Sequence, residues 1–137
     1  MQKTFTILKP DTVKAGKAGA VISELEKAGF RIQAMKMLHL SEEQAQGFYY
    51  VHKERPFFGS LVSFMTEGPI VAMVLEADNA IEKLRKVMGA TDPSKADGGT
   101  IRKQFGTNIE RNAIHGSDGP DTAAFEISYF FNQLEIV

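Results

Sequence analysis

Residues 70 to 76 read IVAMVLE, six apolar side chains in succession before a charge. A strand with one wet face alternates apolar and polar residues, so an unbroken apolar run predicts a strand covered on both faces, at the centre of a sheet. Gly68 and Pro69 close what precedes it. Asp78 or Asn79 is expected to cap the helix AIEKLRKVM that follows, and Gly89 to end it.

Working outward, KTFTILK (3–9) is apolar and β-branched, with Phe5 and Ile7 on one face, and Pro10-Asp11 punctuates its end. KAGAVISELEKA (17–28) sets Ala18, Val21, Ile22, Leu25 and Ala28 at helical spacing, with Gly29 as a C-terminal cap. RIQAMKMLHL (31–40) alternates Ile32, Ala34 and Lys36 against Gln33, Met35 and Met37, which predicts a strand. Ser41 and Gln44 have the spacing of a capping box and open a short helix to about Phe48. Residues 57–66 form another helix.

TDPSKADGGT (91–100) is a loop by composition. A short helix near 101–106 follows it, and NAIH (112–115) is a short strand. Gly119-Pro120 starts the last helix, with proline in the first turn, where its missing N–H costs nothing. Ala123, Ile127, Phe130, Phe131 and Leu134 form that helix's apolar stripe, with Glu126 at its edge. The order of elements is a β-α-β-β-α-β skeleton with helical insertions. It predicts an α+β fold of the split-βαβ, ferredoxin-like kind: a four-stranded antiparallel sheet with helices on its face, in one domain over residues 1–137.

Composition removes several chemistries. There is no cysteine, which excludes disulfide frameworks, zinc–thiolate sites and thiol nucleophiles together. MQKTFTILKPD reaches a charge and a proline after a five-residue apolar-leaning run, too short for a signal-peptide core or a membrane span. A cytoplasmic protein with no membrane partner is expected. Sixteen basic residues against seventeen acidic ones give a net charge of -1, without the positive field of a dedicated nucleic-acid binder. Nucleic acid is therefore not expected as the main partner.

Common fingerprints are missing too. GKAGAVIS contains Gly-Lys at the wrong spacing for a P-loop, and no G-x-G-x-x-G follows a strand. His39, His52 and His115 lie 13 and 63 residues apart, without metal-ligand spacing. What remains are polar residues at element ends: Lys9, Arg85, Thr91, Arg102, and the pair Arg111-Asn112 leading into His115. Cations and hydroxyls converging from such ends can hold a polyphosphate by charge-assisted hydrogen bonds. Each has a plain alternative. A strand-end histidine usually caps or faces solvent, Lys9, Arg85 and Arg102 singly are surface charges, Glu126 is a helix-surface carboxylate, and RKQFG (102–106) is a helix surface. His39 and His52 are assigned no function.

TFTILKPD, YYVHKERPFFG, GPIVAMVLE, LRKVMGATDP, GTIRKQFG and RNAIHGSD, from about residue 3 to residue 131, together resemble the nucleoside diphosphate kinases. The resemblance implies a ping-pong transfer of the γ-phosphate of a nucleoside triphosphate to a nucleoside diphosphate, with broad base and sugar specificity. His115 would attack through Nδ1 and become phosphohistidine. An imidazole, with its ordinary pKa of roughly 6.5, offers a free lone pair at neutral pH. Glu126 would hold the other ring nitrogen, with Ser117 as its partner.

By the same resemblance Arg85, Thr91 and Arg102 would clamp the phosphates, and Lys9 and Asn112 would reach the ribose hydroxyls. Lys9 would also lie close to the transferred group beside Tyr49. The base would stack on Phe57 with Ile109 over its other face. Mg²⁺ would be held mainly by phosphate oxygens and water, so no protein metal ligand is expected. The chain would assemble as a homo-oligomer, a tetramer or hexamer built from dimers. Phe125 and Tyr129, spaced i to i+4 away from the main stripe, are expected at such a contact.

Five positions depart from the usual pattern: Thr12 for the glycine of KPDG, Gly59-Ser60 for Pro-Gly, Gly98 for a proline, and Ile109 for a valine. None removes a catalytic group. Two rival functions are a silent nucleotide- or RNA-binding module and a histidine phosphocarrier. The first lacks an RNP signature and a basic surface, and Phe57, Lys9 and Asn112 beside the clamp argue against the second.

Overall fold

The computed structural model describes residues 1–137. Strands β1 (Gln2–Leu8), β2 (Arg31–Leu38), β3 (Ile70–Ala77) and β4 (Ile114–Gly116) form one antiparallel sheet in the order β2-β3-β1-β4. β3 is an inner strand in which only Glu76 is not fully buried. Its side chains alternate between two cores, as the two-residue period of a strand requires. Ile70, Ala72 and Val74 join Phe5, Ile7, Phe48 and Phe130 on one face. Val71, Met73 and Leu75 join Val21, Leu25, Leu84 and Met88 on the other.

Helices therefore cover both faces of the sheet. The two crossover helices of the split-βαβ unit, α2 (Ala18–Lys27) and α5 (Ala80–Met88), fill one side with Val21, Leu25, Leu84 and Met88. The insertions α3 (Glu42–Phe48) and α4 (Phe58–Met65) cover the opposite side together with α7 (Pro120–Phe130). α6 (Ile101–Phe105) adds Ile101 to the first of these cores. Burying each large apolar side chain stabilises the fold by about 1.5–3 kcal/mol relative to exposure. Gly29, with φ of 97°, turns the chain from α2 into β2 in a conformation other residues rarely adopt. No helix is long and apolar enough to cross a membrane.

Several local expectations are corrected. Pro10-Asp11 does more than end β1: Pro10 is the first residue of a short helix, α1 (Pro10–Lys14), where its fixed φ suits the first turn. β2 carries an irregularity between Ile32 and Ala34, which shifts the simple alternation expected there. At the start of α5, Asn79 occupies the cap position in the left-handed region with φ of 50°, and neither it nor Asp78 makes a side-chain cap bond. The Ile81 N–H is instead accepted by Gln2 Oε1 at 3.0 Å, from the far end of the sequence.

The fourth strand begins at Ile114, two residues later than expected. α7 stops at Phe130, so Leu134 leaves the apolar stripe and is 94% exposed. Tyr129 is partly spoken for inside the monomer, its hydroxyl donating to the Gln44 carbonyl at 2.7 Å. Phe125 packs against Tyr50, with ring centroids 5.4 Å apart.

Candidate active site

The imidazole of His115 is fixed from three directions. Its residue pairs with Ile7 of β1, and its carbonyl accepts the Thr6 hydroxyl at 2.6 Å. Around the ring stand Phe5, Phe48 and Tyr49, with centroids at 6.3, 5.6 and 6.5 Å. Behind it, Glu126 Oε1 lies 2.9 Å from Nε2 and accepts the Ser117 hydroxyl at 2.6 Å. A carboxylate only accepts hydrogen bonds, so Nε2 carries the proton and the lone pair is on Nδ1. No protein hydrogen bond engages Nδ1, and His115 lines two adjoining parts of one cleft.

Gly116 follows this histidine for a packing reason. A Cβ there would meet Met88 Sδ at 2.5 Å and Leu84 Cδ2 at 3.0 Å. The missing side chain lets β4 approach α5, and Arg85 of α5 then donates to the Gly116 carbonyl at 3.2 Å. Asp118 accepts from the Thr122 hydroxyl at 2.8 Å and so ties the turn to the first turn of α7.

Cations gather beside the imidazole. Lys9 is 7% exposed, Arg102 6% and Asn112 2%. Lys9 Nζ donates to Asn112 Oδ1 at 2.7 Å, and Asn112 Nδ2 donates to the carbonyls of Thr91 and Ile109 at 3.0 and 2.9 Å. Arg102 donates to the carbonyls of Gly89 and Ile114 at 3.2 and 2.8 Å, while its buried Nε has no partner. Burial, and then the neighbouring Arg102, lower the Lys9 ammonium from 10.5 to about 8. Burial, and then Arg85, lower the Arg102 guanidinium to about 10. Cations destabilised by one another and by desolvation, with a buried donor left over, make a site that an anion would relieve.

The other end of the cleft is apolar. Phe57, Leu61 and Ile109 line a space of about 350 Å³ with Lys9, Tyr49, Thr91, Arg102, Glu110, Asn112 and His115. Phe57 is 46% and Ile109 62% exposed, so both offer open faces to a flat ligand. Arg85 lies on the adjoining part of about 260 Å³, with Arg102, His115, Asp118 and Glu126. The catalytic and nucleotide-binding candidates Lys9, Tyr49, Phe57, Arg85, Thr91, Arg102, Ile109, Asn112, His115 and Glu126 thus border one cleft, and Ser117 stands behind it. The Tyr49 hydroxyl is buried without a partner, and burial, and then Glu126, push its pKa upward.

Several cleft residues carried no sequence signal, His52, Leu61 and Glu110 among them. His52 stands in the adjoining part, its ring 5.5 Å from that of Phe57. Leu61 and Glu110 line the apolar end, and the Ser60 hydroxyl donates to Glu110 Oε2 at 2.8 Å. The buried Arg102 also corrects the reading of RKQFG as a helix surface, although Lys103 does face solvent. Arg111, which leads toward His115 in sequence, is spent on a two-bond ion pair with Glu67 at 2.6 and 3.0 Å. His39 bonds the Thr66 carbonyl, where its Nε2 lies 2.6 Å from the oxygen.

Residues 2–136 match the family model described as nucleoside diphosphate kinase. The chain is 58% identical, over its whole length and 99% of the relative's, to a nucleoside diphosphate kinase of Trichlorobacter lovleyi. It is 57% identical to that of Geobacter sulfurreducens over all of both chains. Among solved structures, the Aquifex aeolicus nucleoside diphosphate kinase superposes with a TM-score of 0.97 at 46% identity, over 99% of each chain. A halophilic nucleoside diphosphate kinase from Halobacterium salinarum, in complex with CDP, gives 0.95 at 41% identity, over 99% of this chain and 91% of that one.

Proposed function

The chain belongs to the nucleoside diphosphate kinase family, and on that premise we propose that His115 is the residue that carries its phosphoryl group, with residues 1–137 acting as one catalytic domain. The enzyme transfers the γ-phosphate of a nucleoside triphosphate to a nucleoside diphosphate by a ping-pong route through phosphohistidine. In the first half, the Nδ1 lone pair attacks the γ-phosphorus as the bond to the bridging oxygen breaks, and the nucleoside diphosphate leaves. In the second, a terminal oxygen of another diphosphate takes the group and the Nδ1 lone pair is restored.

One observation carries this reading: Glu126 Oε1 holds Nε2–H and the Ser117 hydroxyl together, while Nδ1 stays free beside buried cations. As phosphoryl transfer loosens the γ-group, charge spreads over its oxygens, and preorganised donors stabilise it. Arg85, Thr91 and Arg102 supply them in our reading, with Lys9 and Tyr49 beside the transferred group. Lys9 and Asn112 serve the ribose hydroxyls. The base lies between Phe57 and Ile109, and stacking on a ring face favours no one base strongly.

The family uses a divalent cation, which we take to be Mg²⁺. No three His, Cys, Asp or Glu side chains converge in the chain. The donor set fits an ion held mainly by phosphate oxygens and water, with Asp118 as a carboxylate bordering the same end. When bound, it neutralises phosphate charge. The cytoplasm, where such nucleotides are exchanged, is the compartment we assign.

A homo-oligomer is also proposed. β2 is an edge strand, with Met35 54% and Met37 62% exposed along it, and an exposed apolar edge invites pairing. Light scattering is expected to report at least a dimer, consistent with a tetramer or hexamer, and a clean monomer at micromolar concentration would overturn it.

Incubation with γ-labelled ATP tests the phosphohistidine. Acid-labile label is expected on His115, discharged by every nucleoside diphosphate. His115→Gln is expected to abolish labelling and to keep nucleotide binding. Label that no diphosphate removes would indicate a phosphocarrier, and binding without label a silent nucleotide module.

A further inference from the structure

Between Asn112 and Ile114 the backbone makes a turn that few residues tolerate. Ala113 has φ of 76°, and the Ile114 N–H donates to the Asn112 carbonyl at 2.9 Å. This is a three-residue γ-turn of the strained hand, rare outside glycine. Such a conformation persists only where the surroundings over-determine it. Here every polar atom of Ala113 is held by the segment just after β1. Its N–H donates to Asp11 Oδ2 at 3.1 Å. Its carbonyl accepts the Lys9 N–H at 2.9 Å and the Thr12 hydroxyl at 2.9 Å.

We propose that Thr12 is a positioning residue for the transfer reaction: its hydroxyl holds the strained turn at Ala113, which sets the aim of Asn112 on one side and of His115 on the other. The inference rests on the functional reading above. Thr12 is 2% exposed and Ala113 fully buried, so water cannot replace the hydroxyl. Without that hydroxyl, the carbonyl would keep the Lys9 N–H alone. The device links three parts of the cleft through one peptide unit. Lys9 contributes its backbone to the clamp and its Nζ to Asn112. Asn112 holds the Thr91 carbonyl. Immediately after the turn, His115 presents its ring.

Thr12→Val keeps the shape and removes the hydroxyl, and Thr12→Ser keeps the hydroxyl. In the full-length protein, Thr12→Val is expected to slow His115 phosphorylation by ATP by about fivefold to tenfold, the scale of one buried hydrogen bond. Thr12→Ser is expected within about twofold of the parent. In ligand-free protein, the ¹⁵N signals of the His115 ring and the Asn112 side-chain amide should shift in Thr12→Val and return in Thr12→Ser. If Thr12→Val does not fold, Thr12→Ala takes its place. A variant with a lower Tm but unchanged kcat, KM and ring signals overturns the proposal, because the hydroxyl would then serve stability alone. Equal impairment in Thr12→Ser overturns it as well. Absence of label on His115 in the parent protein is instead a failure of the phosphohistidine reading, while the ring and amide signals still decide whether Thr12 sets the turn.

Discussion

The two ends of the cleft are built by opposite means. At the proposed phosphate end, Lys9, Arg102, Asn112 and Ser117 are buried; Lys9 donates to the Asn112 side chain, and the other three donate to the backbone carbonyls of Ile114, Thr91 and Phe5. At the proposed base end, Phe57 and Ile109 stand 46% and 62% exposed, and the cross-link nearby is the Ser60–Glu110 hydrogen bond at the surface. Direction and charge matter where a phosphoryl group changes hands, so donors there must be held before the substrate arrives. A flat apolar face needs no such precision. On the proposed assignment, the difference lets one cleft be exacting about phosphate and tolerant of the base.

Substitutions at the two ends should therefore fail differently. Arg102→Met is expected to lower kcat/KM by about 10²–10³-fold, the usual cost of removing one preorganised donor. A loss below tenfold in a steady-state assay would dissolve the contrast. Glu126→Ala is expected to lower kcat by about 10–100-fold, the worth of a hydrogen bond to a charged group, with KM for the nucleotide little changed. Phe57→Ala is expected to raise KM by about tenfold, within the range of base stacking on an aromatic ring, and to spare kcat. The same factor for all four bases would sharpen the comparison, and a loss confined to one base would break it.

The smallest effect concerns pH. Burial, and then Arg102, hold Lys9 at about 8, so in ligand-free protein its charge is lost as pH rises through that value. KM for the nucleotide is expected to rise roughly threefold between about pH 7 and 9, and Lys9→Arg, always charged, to flatten the profile. For stability the sign is opposite. The folded pKa lies below the unfolded value of 10.5, so the unfolded chain binds more protons from about pH 8 to 10.5. The Lys9 contribution to stability thus grows with pH across that window, which Tm measured against pH would reveal.

Local patterns carried the elements a long way. The apolar run at 70–76 identified an inner strand, because two covered faces leave no polar position. The capping box at Ser41 and Gln44 forms as its spacing predicts. Patterns failed where a distant group did the work. Gln2 substitutes for a cap on α5, and Arg102 is drawn inward by carbonyls of Gly89 and Ile114 rather than left on a helix surface. The hydroxyl of Tyr129, a residue 37% exposed, is met by the Gln44 carbonyl from another helix, a bond that helical spacing does not show.

The sequence by itself determined the order of strands and helices, the split-βαβ skeleton and, through six motifs in series, the family and its reaction. These depend on periodicity, turn chemistry and residue identity, which are local. Only the tertiary structure decided that Nε2 of His115 faces Glu126, that Lys9 and Arg102 are desolvated together, and that Thr12 reaches Ala113 across 101 positions. Hydrogen-bond direction and burial belong to pairs of groups, and those pairs exist only once β1 and β4 lie side by side. The segment RNAIHGSD therefore pointed to the candidate histidine, while the strand beside it set the histidine's aim.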